Sequence, residues 1–172
     1  AYLTDDTYEG KTQDEDEDNA LVFTVFGENG AKTLYDTDDQ GTLKASDFEK
    51  GMVIRYTEDG NKIKEVVTTG IKTVAITGVE DKNKGYVYFL DSTTTAGKST
   101  SLKLDADAYF VKIDDANNTA EAGARGDVVI AHSESTDYLT ANAYIAVEDN
   151  KIVAVYYDVD KLDDGVEFLD KN

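Results

Sequence analysis

The sequence contains no cysteine, no proline and no tryptophan, and its one histidine is His132. Each absence closes off a class of chemistry. Without Cys there is no disulfide framework, no Cys-ligated zinc or iron–sulfur site and no thiol nucleophile. One His leaves out the multi-histidine metal clusters of many hydrolases and oxygenases. At ordinary usage, a chain of this length would carry roughly 8 or 9 prolines. Long apolar runs are also missing: none approaches the roughly 20 residues of a membrane-spanning helix. The chain opens Ala1-Tyr2-Leu3-Thr4-Asp5-Asp6, with no initiator Met, no basic start and no apolar stretch. It is therefore read as a mature product or an excised piece of something longer.

Positive charge is scarce as well. Seventeen Lys and Arg stand against 36 Asp and Glu, a formal net charge of −19 in 172 residues. Such a charge repels nucleic acid and an anionic membrane surface, so neither is expected as a partner. The acidity is uneven: residues 1–20 hold eight acids and one Lys, which is −7 of the total. Within them, Asp14-Glu15-Asp16-Glu17-Asp18 reads as a solvated charge run, with loose calcium binding or a basic partner as the functional alternatives.

What is present is a series of short apolar runs, enough for one or two small cores. Leu21–Phe26 stops at Gly27-Glu28-Asn29-Gly30. Met52–Thr57 and Lys62–Thr69 flank Glu58-Asp59-Gly60-Asn61, where Asp-Gly is a strong hairpin signal because both residues tolerate positive φ. Thr73–Val79, Tyr86–Leu90, Ser101–Asp105, Tyr109–Ile113, Asp127–Ala131, Ala143–Val147 and Lys151–Tyr157 continue the pattern. Turn signals every 8–12 residues or so point to sandwiches or small barrels. Helix is confined to two short candidates. One is Lys44–Lys50, closed by Gly51 and N-capped by Ser46 or Asp47; the other is Ala120–Arg125, closed by Gly126.

These candidates expose an internal repeat: short helical turn, Gly, β-run, hairpin, β-run. The first copy is Asp47-Phe48-Glu49-Lys50-Gly51-Met52-Val53-Ile54 followed by Asp59-Gly60-Asn61-Lys62-Ile63. The second is Arg125-Gly126-Asp127-Val128-Val129-Ile130 followed by Glu148-Asp149-Asn150-Lys151-Ile152-Val153, with a longer excursion over Ser133–Asn142. The expected fold is all-β: two consecutive small β-barrel or sandwich units, each with one short helical turn. Residues 1–70 form the first unit with its acidic N-terminal segment, 71–160 the second, and 161–172 a linker or the start of a further module.

The repeat resembles the tandem β-domains of bacterial surface-layer (S-layer) and S-layer-homology proteins of Gram-positive, Clostridia-like anaerobes. The shared signature is an acidic or basic turn ending in Gly-Asp or Gly, a β-run, and an Asp-Gly-Lys-Ile-like hairpin. The resemblance covers most of residues 20–158. It implies a non-catalytic structural module at the bacterial cell surface or wall, acting as a spacer or lattice tile against other modules of the same protein or lattice neighbours. The cell-wall anchoring modules of such proteins are helical, and no segment here is similar to them. The alternative from another class is an adhesin or carbohydrate-binding module of a secreted protein, with calcium involved.

The sharpest chemical pattern is Asp36-Thr37-Asp38-Asp39-Gln40-Gly41-Thr42-Leu43-Lys44-Ala45-Ser46-Asp47. Counted as a calcium loop, Asp36, Asp38, Gln40 and Asp47 fall at positions 1, 3, 5 and 12, with Gly41 at the sharp turn. Gln at position 5, the short Asp at position 12 and a strand-like Thr33-Leu34-Tyr35 ahead of the loop depart from that pattern. The plainer reading is a solvated acidic turn. His132 and Ser133 lie beside Glu134 and Asp137, but neighbours on a strand face opposite ways and cannot converge as a triad. No cofactor is expected beyond calcium, and no catalytic residue is assigned. Tyr86, Tyr88, Tyr144 and Tyr156 lie in strand runs and read as core or cross-strand packing; sugar stacking is the alternative.

Overall fold

In the computed structural model, residues 1–11, 20–36, 43–80, 85–135 and 137–169 are described. The described residues form strands and two single 3₁₀ turns, with no α-helix among them. Two compact units emerge: residues Ala1–Thr69 with Asn118–Ala120, and Gly70–Asn117 with Glu121–Asn172.

The first unit contains β1 (Tyr2–Leu3), β2 (Tyr8–Gly10), β3 (Ala20–Gly27), β4 (Gly30–Asp36), β5 (Arg55–Asp59) and β6 (Lys62–Val67). Their order is β1-β3-β4-β6-β5, with β2 extending the β1 side of β3. All pairings are antiparallel except β4 with β6, which is parallel. Tyr2 of β1 bridges Val53, just ahead of β5, and Leu3 N–H donates to Met52 O at 2.8 Å. The sheet therefore curls back on itself. Met52-Val53-Ile54, expected as the start of a strand running to Thr57, instead lines up against the first residues of the chain.

Alternation along β3 sends Leu21, Phe23 and Val25 into a core with Leu3, Leu34, Phe48, Ile54 and Ile63. Each such side chain contributes about 1.5–3 kcal/mol when fully buried. Phe23 and Phe48 meet edge-on, ring centroids 5.4 Å apart.

The second unit contains β7 (Ile71–Val79), β8 (Tyr86–Leu90), β9 (Thr100–Asp114), β10 (Thr119–Ala122), β11 (Ser133–Ser135), β12 (Tyr138–Thr140), β13 (Ala143–Glu148), β14 (Lys151–Asp158) and β15 (Glu167–Leu169). The path β9-β14-β13-β7-β8 closes because β8 also pairs with β9, giving a five-stranded Greek-key barrel. Only β9 and β14 run parallel.

The closure depends on a bend in β9. Leu104 faces Ile152, but the next partners are Tyr109 and Ala154, so β9 carries extra residues at that point. Ser101–Asp105 and Tyr109–Ile113, separate runs in the sequence, are thus one strand. Its first half pairs with β8, and β14 partners it on both sides of the irregularity. The core is Val74, Ile76, Val87, Phe89, Leu104, Ile145, Ile152, Val155 and Tyr157.

The two units share one strand order. Taken in chain order, both run first, second, third, fifth, fourth, with the third and fifth parallel and a 3₁₀ turn between the third and fourth. The excursion in the second copy is real: β11 and β12 join β15 in a separate three-stranded sheet. Residues 161–169, expected as a linker, contribute β15 to that sheet.

Several local expectations are corrected. Lys44–Lys50 is not a capped helix but a 3₁₀ turn over Ala45–Asp47; Ser46 and Asp47 sit inside it, and no side chain caps it. Ala120–Arg125 is not helical: β10 occupies Thr119–Ala122 and the turn covers Arg125–Asp127. Asp127–Ala131 is not a strand. At the first hairpin Asp59 pairs with Lys62, so Gly60-Asn61 forms the loop, and only Gly60 has positive φ, at 66°. Register moves the turn by one residue, because the position needing positive φ falls to the residue without a Cβ.

Candidate functional site

The residues of the calcium-loop reading are only partly in view. Asp36 ends β4 and is buried, while Asp47 is exposed in the 3₁₀ turn. Asp38 and Gln40 lie outside the described residues, as does the run Asp14–Asp18. Among the described residues, no group of three or more His, Asp or Glu side chains is arranged to hold a metal ion. His132 is exposed, and the Ser133 hydroxyl donates to Tyr138 O at 2.9 Å. Tyr144 and Tyr156 are a cross-strand pair, and Tyr156 is fully buried. Tyr86, read as a packing residue, is instead exposed.

The most organised polar cluster is one that no spacing in the sequence marked. Asp91 follows β8, and its side chain is 5 % exposed. Lys72, on β7, reaches it at 2.6 Å. Its other carboxylate oxygen accepts the Thr93 N–H at 2.8 Å and the Thr93 hydroxyl at 2.6 Å, with the Thr94 hydroxyl at 3.0 Å. Burial works against the charged form. The Lys72 ammonium and the Thr93 and Thr94 donors outweigh it and hold the carboxyl at about 2. Asp91-Ser92-Thr93-Thr94 is a turn-forming string, and that was the only signal available in the sequence.

Beside this cluster runs a groove of about 250 Å³. One wall is Leu90, Asp91, Ser92, Thr94 and Ala96; the other is Val166 to Leu169, around the outer edge of β15. Asp91 is anchored by its own partners, so the groove presents hydroxyls and short apolar side chains around a carboxylate already neutralised. In the first unit a shallower groove of about 450 Å³ lies between Asp6-Thr7 and Ala45–Lys50. There the Thr7 N–H donates to Phe48 O at 3.1 Å and the Lys50 N–H to an Asp6 carboxylate oxygen at 3.0 Å. Neither groove brings together a nucleophile, a base and an oxyanion-stabilising pair.

At one end of the barrel the parallel strands β9 and β14 leave side by side, and their exits carry Asp115 and Asp158. The Asp115 N–H donates to Asp158 Oδ2 at 3.2 Å. Asp158 is 6 % exposed. Burial, followed by the facing carboxylates of Asp158 and Asp163, pushes the Asp115 carboxyl up to about 6, against the pull of the Asp163 N–H.

Compared with known proteins, the chain matches no family model, no curated protein and no solved structure.

Proposed function

We propose that this chain is a non-catalytic structural module of an extracellular bacterial surface protein of the S-layer type, a spacer or lattice tile. The observation that carries the reading is the recurrence of one strand order in both units, with the same parallel pairing and the same 3₁₀ turn before the fourth strand. Tandem copies of a small closed sheet are suited to a mechanical task, because each unit has its own core and little unpaired edge. The net charge of −19 supplies a hydrated surface that keeps neighbouring modules from sticking.

The test is antibody against this chain, applied to intact and to permeabilised cells of the source organism. Labelling of intact cells, in a regular array by immunogold electron microscopy, is the expected result. Labelling only after permeabilisation overturns the proposal.

A further inference from the structure

We propose that the Asp115 and Asp158 carboxyls form a proton-operated latch that fastens the tail of the second unit, residues 159–169, to the end of its barrel. The inference does not rest on the surface-module reading.

The geometry begins with strand direction. β9 and β14 are parallel and Asp158 stands opposite Ile113, so both chains leave the barrel at the same end. Asp115 follows two residues after Ile113, and its carboxyl lies within hydrogen-bond reach of the Asp158 carboxyl. The tail is tied to this pair at two points. The Asp160 N–H donates to Asp158 Oδ1 at 2.9 Å, and the Asp163 N–H to Asp115 Oδ2 at 2.5 Å. Beyond them, the Leu162 N–H donates to Ala141 O at 3.0 Å, Leu162 and Phe168 are buried, and β15 pairs with β12.

The surroundings are almost wholly acidic. Asp158 faces Asp115 from β14; Asp160, Asp163 and Asp164 lie along the tail with Lys161. The Tyr144 phenol faces the site from β13, and burial and then the charges of Asp115 and Asp164 push its pKa up. Asp114, next to Asp115, is occupied by the Asn117 N–H at 3.1 Å and the Asn117 side-chain amide at 2.8 Å.

Two ionised carboxylates in contact repel, whereas one shared proton turns the contact into a short charge-assisted O–H···O bond. Below about pH 6 the proton is held, the pair is cohesive and the tail is fastened. As pH rises through that value the proton leaves, Asp115 and Asp158 move apart, and the Asp163 tie to Asp115 loosens with them.

The test is amide hydrogen exchange on the whole chain by NMR at pH 5, 6 and 7 in EDTA, with rates divided by intrinsic exchange. In the unaltered chain, protection at Asp160, Leu162 and Asp163 falls about tenfold from pH 5 to 7 with a midpoint near 6, while Ile76 and Ile145 in the barrel wall are unchanged. Asp115→Asn, whose carboxamide donates to Asp158 at any pH, keeps the tail protected throughout. Asp115→Ala leaves it open throughout. A tail whose protection ignores pH, or an Asp115→Asn curve that follows the unaltered one, overturns the proposal. Direct carbon-13 titration of the Asp115 carboxyl reads the same point without any substitution, and a midpoint near the ordinary 4 also overturns it.

Discussion

The side-chain oxygen of Asn142 accepts the Ile76 N–H at 3.0 Å, across 66 residues of sequence. The rest of Asn142 is equally committed. Its Nδ2 donates to Val129 O at 3.0 Å, its N–H to Val74 O at 3.0 Å, and its own carbonyl accepts the Asp158 N–H at 2.8 Å. One fully buried amide therefore joins β7, β14 and the segment after the second 3₁₀ turn, at the point where the β11–β12 excursion rejoins the barrel. Asn142→Leu keeps the volume and strands the Ile76 N–H and Val129 carbonyl without partners. The expected loss is about 2–4 kcal/mol in urea unfolding, with the slope unchanged.

Asp91 and Lys72 make the second unit acid-sensitive. Because the Asp91 carboxyl sits at about 2 when folded, below its ordinary value, its contribution is complete at neutral pH. It fades as pH falls from about 4 towards 2, where the folded carboxyl finally takes up a proton. Lys72→Met should lower stability at pH 7 by about 1–3 kcal/mol and flatten this acid limb. Urea midpoints between pH 2 and 7 read both effects; an acid limb as steep as in the unaltered chain would dismiss the ion pair as its source.

Gly123 is required by close approach. A Cβ there would stand 2.8 Å from the Tyr157 hydroxyl and ring and 2.9 Å from the Lys112 backbone N. Gly126, three residues on, has nothing within 4 Å. Gly123→Ala is expected to cost about 1–3 kcal/mol through overpacking, while Gly126→Ala is neutral or slightly stabilising. Thermal melts of the pair give the contrast directly.

The β13–β14 turn is the position most demanding of backbone. Asp149 and Asn150 have φ of 46° and 60°, which a two-residue type I′ loop requires of both. Asn150→Val puts a β-branched side chain into that region and should cost about 1–3 kcal/mol, whereas Asn150→Gly should be neutral to stabilising. Chemical denaturation ranks the three.

Much of the strand content was legible, for a physical reason. Leu21, Phe23 and Val25 alternate with neighbours of the opposite face, and a period of two survives in any environment that buries one side. The repeat was legible too, since Gly51 and Lys62-Ile63 in one copy and Gly126 and Lys151-Ile152 in the other recur around the same turn chemistry. The helical readings failed because runs of six or seven residues lack the length to hold helix unaided, and tertiary pairing claimed them. Ala120–Ala122 went to a strand against β9, and Met52–Ile54 went to the start of the chain. The Asp91 cluster and the Asp115–Asp158 pair were not legible: each depends on residues 19 and 43 positions apart that meet only through strand pairing.

By itself the sequence determined the all-β character, the hairpin positions to within a residue, the acidic surface and the classes of chemistry its composition excludes. These follow from period, turn residues and composition, which act over a few neighbours. Only the tertiary structure decided which strands pair, where β9 bends to close the barrel, and which of the 36 acidic residues meet. Those are matters of long-range register, and a shift of one residue in pairing sends every side chain to the other face.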